Sequence, residues 1–115
     1  MNSAPRQEPE VNKLFRIVKK HEASELHLKV GEPPMIRLRG EIRRLELRSL
    51  TPEDMERLLY PIMDDQQRQT LDQTGTVNLA HVVGKDECRF GCSVYRKEGQ
   101  LRLAARLVKR LDAGA

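Results

Sequence analysis

The sequence predicts an α+β fold, an antiparallel or mixed sheet with helices packed on one face, in the order α-β-β-β-α-α-β-β-β. Three observations carry this. Apolar residues recur with a helical period at Val11, Leu14, Phe15 and Val18, and again at Met55, Leu58, Leu59 and Ile62. They alternate with polar residues at Leu26, Leu28 and Val30, and again through the region after Gly75. Glycines fall between those runs, at Gly31, Gly40, Gly84 and Gly99, where turns are needed.

The elements follow in order. Residues 1–10 are polar and contain proline, which reads as a disordered lead-in. Residues 11–21 form the first helix, with Lys19, Lys20 and His21 at the end where cations suit the helix dipole. Residues 24–30 form a strand with Leu26, Leu28 and Val30 on one side and Glu25, His27 and Lys29 on the other. Pro33-Pro34 enforces an extended approach to the next strand. Residues 35–38 and 42–47 read as a hairpin joined by a three-residue turn, Arg39-Gly40-Glu41. In that register Leu38 meets Ile42, and Arg37 faces Arg43.

Thr51-Pro52-Glu53-Asp54 starts the second helix: Thr51 caps, Pro52 takes the first position and the acids complement the dipole. Pro61 ends or kinks that helix, and Asp64 or Asp65 caps a further short one through about Leu71. Three strands follow. Val77, Leu79, His81 and Val83 line the first, and Cys88, Phe90, Cys92 and Val94 the second. After a turn at 97–100, Leu101, Leu103, Ala105 and Leu107 line the last. The domain is expected over residues 11–109, with a tail at 110–115.

With 115 residues the chain suits one domain. Apolar residues are 38% of it and charged ones 33%, so the core is thin and the exterior heavily charged. Trp is absent, which leaves that core to Leu, Val, Ile and Met. No apolar run approaches the ~20 residues of a membrane span, and no secretion signal precedes the first helix. Membrane insertion is therefore not expected, and the cytoplasm is the expected compartment. Cys88 and Cys92, four apart on one strand, stand about 13 Å apart. That is too far for a disulfide, and their place on the apolar side reads as small buried hydrophobes.

Catalytic chemistry leaves no trace. A phosphate-gripping G-x-x-x-x-G-K-[ST] loop is absent; the one Gly-Lys pair, Gly84-Lys85, is followed by Asp86 between strands. His21, His27 and His81 are dispersed and share no metal-ligand spacing. Glu53-Asp54 and Asp64-Asp65 begin helices, which accounts for them structurally. No catalytic residue, metal or cofactor is expected. The net charge of +4 admits nucleic acid or an acidic protein partner. Scarce aromatics argue against base stacking, and so against single strands. Arg37, Arg39, Arg43, Arg44 and Arg48 crowd the hairpin, and they are either a solvated face or, the first four above all, a docking face. His27, opposite the leucines of its strand, is a surface or helix-packing residue, or part of the same docking surface.

Taken in order, VNKLFRIVKK at 11–20, ASELHLKVGEPPMIRLRGEIRRL at 23–45, LTPEDMERLLYPIMDDQQRQTL at 50–71 and CRFGCSVYRKEGQLRLAARLV at 88–108 resemble the N-terminal domain of PilT-type ATPases. These are the retraction motors of bacterial type IV pili, in the secretion-ATPase superfamily with the type II secretion motors. The A-S-[DE]-L-H-L and G-x-P-P segments are the specific part. The resemblance implies a PAS-like fold. It implies a protein partner, either a pilus or secretion ATPase or a second copy, because the family's domain packs on a neighbouring subunit in a six-membered ring. It also implies arginines reaching toward a neighbour's nucleotide from the strand at 88–95. Here that strand departs from the family's R-F-R-V-N. It reads Arg89-Phe90-Gly91-Cys92-Ser93, with Gly91 in place of the second arginine, while Arg89 and Arg96 remain near the edge. The family's acidic residue before these strands is replaced by Gly75-Thr76, and Pro61 interrupts the second helix. The chain stops about where the family's linker to its ATPase core begins, so the expectation is a docking or regulatory domain without the motor. An independent PAS-like sensor of a small ligand or nucleic acid is the alternative.

Overall fold

The computed structural model describes residues 8–110. Its elements are α1 (Asn12–Lys20), β1 (Glu25–Lys29), β2 (Met35–Leu38), β3 (Glu41–Arg44), α2 (Pro52–Leu59), α3 (Asp65–Thr74), β4 (Thr76–Val83), β5 (Cys88–Lys97) and β6 (Gln100–Arg110). The expected element order holds. The six strands form one antiparallel sheet in the order β3-β2-β1-β6-β5-β4. Of the tails expected at residues 1–10 and 110–115, residues 1–7 and 111–115 lie outside the described residues. Glu8 and Glu10 are described, and they pair with Arg16 and Arg57.

The helices start and stop for local reasons. α2 opens on a capping box: Thr51 Oγ1 accepts the Asp54 N–H at 3.1 Å, and the Asp54 carboxylate accepts the Thr51 N–H at 2.8 Å. Pro61 ends it, and Tyr60–Ile62 tighten into a 3₁₀ turn. α3 opens on a second capping box between Asp64 and Gln67. It stops at Gly75, whose φ of 85° supplies the left-handed residue that helix ends favour.

All three helices cover the same side of the sheet. Leu26, Leu28 and Ile36 of β1 and β2, Phe90, Cys92 and Val94 of β5, and Leu101, Leu103 and Ala105 of β6 point into it and are buried. Phe15, Met55, Leu59 and Leu71 close over them from the helices. The Phe15 and Phe90 rings lie 4.4 Å apart, joining α1 to β5. Both cysteines are buried, and burial pushes the Cys92 thiol up to about 12. Beside Phe15, His81 shares a hydrogen bond of 2.6 Å with the buried Asn12, whose amide donates to Glu8. Burial lowers the pKa of His81, against a smaller upward pull from Glu8.

The first hairpin corrects the sequence reading. The turn has two residues, Arg39 at φ 52° and Gly40 at φ 81°. A loop with both φ values positive matches the twist of its strands. Leu38 therefore pairs with Glu41, Arg37 with Ile42, and Ile36 with Arg43. Arg37 does not face Arg43. Because side chains alternate, the one-residue difference puts every β3 residue on the side opposite the expected one. β3 also ends at Arg44 rather than at residue 47. The chain leaves the sheet there, Leu47 stands 51% exposed, and Leu50 returns to bridge Val30 in parallel.

Candidate docking surface

With helices on one side only, the other side of the sheet is open. Cross-strand partners share a face, so the register assigns its side chains. They include Arg37 and Ile42, then Glu25, His27 and Lys29, then Arg102, Ala104 and Arg106 on β6. β5 adds Arg89, Gly91, Ser93 and Tyr95, and β4 adds Asn78, Ala80 and Val82. The middle is low because Gly91, Ser93 and Ala104 are small. A hollow of about 200 Å³ lies there, walled by Glu25 and Arg106. A groove of about 270 Å³ runs beside it, between His27, Met35, Arg37, Ile42, Tyr95 and Arg102.

The open face is cationic with one acid at its centre. Glu25 Oε1 lies 2.8 Å from His27 Nε2 and accepts from Arg37 Nε at 3.2 Å. Those bonds, His27 first, hold the Glu25 carboxyl below its usual range. Lys29, Arg102 and Arg106 form no ion pair with another described residue. Of the exposed large hydrophobics, Ile42 and Val82 flank the face at its two edges, and Val108 projects beside Gly91. Val108 gets there through a bulge between β5 and β6 at Arg89/Phe90.

The seven residues singled out in the sequence do not form one surface. His27 and Arg37 are neighbours on the open face through Glu25. Arg44 shares that face at the β3 edge, tied to Glu32 at 2.8 Å, and Arg89 lies far across the sheet, tied to Asp86 at 2.7 Å. Arg43 points to the other side of β3 and pairs with Glu41 at 3.2 Å, and Arg39 sits in the turn. Arg96 is on the helix side: its guanidinium donates to Tyr60 Oη at 3.2 Å and lies 3.7 Å from Asp72. It braces α3 and the 3₁₀ turn. Arg102, Arg106 and Lys29 were missed. The alternation of β6 opposes Arg102 and Arg106 to its leucines, but their adjacency to His27 depends on the β1–β6 pairing, which no local signal specifies.

Gly91 keeps the middle of the face low without being required by the backbone. A Cβ there would meet only the Val108 side chain, at an ordinary 3.6 Å. Gly91→Ala is therefore expected to stabilise the fold by about 0.5–1 kcal/mol, the usual cost of glycine inside a strand. Urea unfolding checks this, and a loss of stability would show the site to be closed. On the helix side, a separate apolar hollow of about 400 Å³ lies among Leu14, Ile17, Leu47, Leu50 and Leu58, rimmed by Lys13, Arg48 and Arg57. Among the described residues, no three His, Cys, Asp or Glu side chains gather as a metal site. No helix among them is long and apolar enough to cross a membrane.

No protein-family profile matches the chain. Over 64 residues, 56% of its length, the chain is 39% identical to the type IV pilus retraction ATPase PilT of Pseudomonas aeruginosa, covering 19% of that protein. The crystal structure of the pilus retraction motor PilT with bound ADP superposes with a TM-score of 0.77 at 31% identity, over 92% of this chain and 30% of that one. The Legionella pneumophila ATPase DotB gives 0.72 at 16% identity, over 94% of this chain and 31% of that one. The Yersinia pseudotuberculosis DotB gives 0.66 at 20%, over 94% and 32%. The two DotB likenesses are of fold. The chain spans less than a third of the length of each of these relatives.

Proposed function

Taking as premise that the chain is homologous to the N-terminal region of PilT, in the secretion-ATPase superfamily, we propose that it is a non-catalytic docking domain for a motor ATPase subunit of that class. It works in the cytoplasm and presents its helix-free sheet face to an acidic surface of that subunit. The observation that carries this reading is the face itself: Lys29, Arg37, Arg102 and Arg106 line one side of a floor of Gly91, Ser93 and Ala104. Such a layer, charged at the rim and low at the centre, suits a partner that brings side chains into the hollow. Nucleotide turnover falls to the partner, since these 115 residues contain no phosphate-gripping glycine loop.

Co-elution and calorimetry with a PilT-type motor ATPase test the proposal. The double variant Arg102→Glu/Arg106→Glu is expected to weaken binding at least about tenfold and to keep its circular dichroism spectrum, since exposed charges contribute little to the fold. Absence of binding by the native chain at micromolar concentrations would sink the docking role. Unchanged affinity in the double variant would move the contact to another face. A small-ligand sensor is the second reading. It is favoured only by the apolar hollow near Leu14, Leu50 and Leu58, and stabilisation of the chain by amphipathic acids bound there would support it.

A further inference from the structure

The two edges of the sheet are built differently. β3 has four residues, three of them charged, and an edge so short and charged resists pairing with another chain. β4 has eight residues, Thr-Val-Asn-Leu-Ala-His-Val-Val, with no charge and no proline. Its pairing with β5 runs unbroken from Thr76 to Val83, so no bulge twists it away. The Arg96 N–H donates to Gly75 O at 2.9 Å, which sets the phase of the ladder. Val77, Leu79, His81 and Val83 exchange hydrogen bonds with β5, and the backbone groups of Thr76, Asn78, Ala80 and Val82 point outward. Thr74 Oγ1 occupies the outward groups of Thr76, accepting its N–H at 3.4 Å and lying 2.8 Å from its carbonyl, with its one proton shared between that carbonyl and Thr70 O. Among the described residues nothing bonds the outward groups of Asn78, Ala80 and Val82.

We propose that this edge pairs with the β4 edge of a second copy of the chain, antiparallel and centred on Ala80. The three residues with open backbone groups are complementary to themselves about that centre. Ala80 meets Ala80 of the second copy, and Asn78 meets Val82 in both directions. That makes three pairs, each exchanging two hydrogen bonds. A strand without charge brings no like charges opposite each other, and it offers a charged partner strand nothing to recognise. Arg89, one strand inward beside Val82, is paired with Asp86. It stands roughly 20 Å from its counterpart by strand spacing, beyond the screening length of about 8 Å. Paired residues point the same way, so the open faces of both copies join into one continuous surface. This uses the edge of the sheet, and it stands independently of the docking proposed for the face.

Sedimentation of the 115-residue chain up to about 500 μM tests the pairing. A reversible dimer is expected. Ala80→Pro removes one outward N–H and none of the β5 ladder, so it is expected to weaken dimerisation at least about tenfold and leave the fold intact. Ala80→Lys sets two ammonium groups against each other at the centre and is expected to do the same. Ala80→Cys places its two copies with Cα atoms about 5.5 Å apart, within disulfide range. It should oxidise to a covalent dimer, and Ser93→Cys, one strand inward, should not. A native chain that stays monomeric throughout overturns the proposal. So does undiminished dimerisation of Ala80→Lys, whatever Ala80→Pro does, and so does equal cross-linking at the two cysteine positions.

Discussion

Phe90→Ala is expected to lower the unfolding free energy by about 3–5 kcal/mol. Domains of this size hold about 5–15 kcal/mol in total, so the variant sits near the limit of folding at ambient temperature. The size follows from place and scarcity. The chain has two Phe and no Trp, and those two Phe stack on each other with centroids 4.4 Å apart. Phe90 is fully buried on β5, one strand in from the β4 edge, and Phe15 is the largest side chain that α1 contributes. Removing the Phe90 ring leaves Phe15 without its neighbour and opens a void between α1 and β5. Val82→Ala, on the exposed edge at 44% accessibility, is the control and should stay within about 0.5 kcal/mol of native. Urea midpoints decide. A Phe90→Ala loss below about 1 kcal/mol would mean that α1 is not seated on β5.

What the sequence discloses and withholds follows from the range of the interactions. The strand alternation around Phe90 is a two-residue period and is visible locally, as are the Thr51 and Asp64 caps and the stop at Pro61. The hairpin register was misread because its turn places an arginine, Arg39, in the left-handed region where Asn, Asp or Gly is the usual signal. The open face was half visible. His27 and Arg37 lie ten residues apart on paired strands, and their strands could be placed side by side. Arg102 and Arg106 lie about 75 residues from β1, and the order β1-β6-β5 that brings them there is set by packing over the whole core. The arginine carried furthest from its expected role is Arg96. Its strand parity already put it with Val94 on the apolar side, and Tyr60 and Asp72 supply the polar end of that position.

The same distinction sets the second large effect, at Asp54. Its sequence context shows a helix-starting acid; the structure adds two arginines. Arg48 grips the carboxylate through both nitrogens at 2.6 and 2.7 Å, Arg57 donates at 2.7 Å, and the Thr51 N–H donates at 2.8 Å. The side chain is 3% exposed. Through it the start of α2 is fastened to the segment leaving β3, and Arg57 continues to Glu10. Arg48 first, then the Thr51 backbone and Arg57, hold the Asp54 carboxyl well below the usual carboxylate range. A depressed pKa stabilises the fold fully above the unfolded value, near 3.9, and is lost as pH falls below it through the folded value. Stability at neutral pH should therefore be flat with respect to this group and fall below about pH 4. Asp54→Asn turns an amide N–H toward donors that need an acceptor and leaves Arg48 without its carboxylate beside Arg57, which keeps only Glu10. It should cost more than Thr51→Ala, which removes one cap bond at about 1 kcal/mol. Glu8, Glu25, Glu32 and Glu87 are also depressed by nearby arginine or histidine, and they add to the acid slope. They are more exposed than Asp54, and salt screens them more. Urea unfolding between pH 2.5 and 7 in high salt should then show a residual slope in the native chain and little in Asp54→Asn. Equal slopes in the two proteins would mean that the carboxylate at the head of α2 is solvated and that its arginines do not hold it.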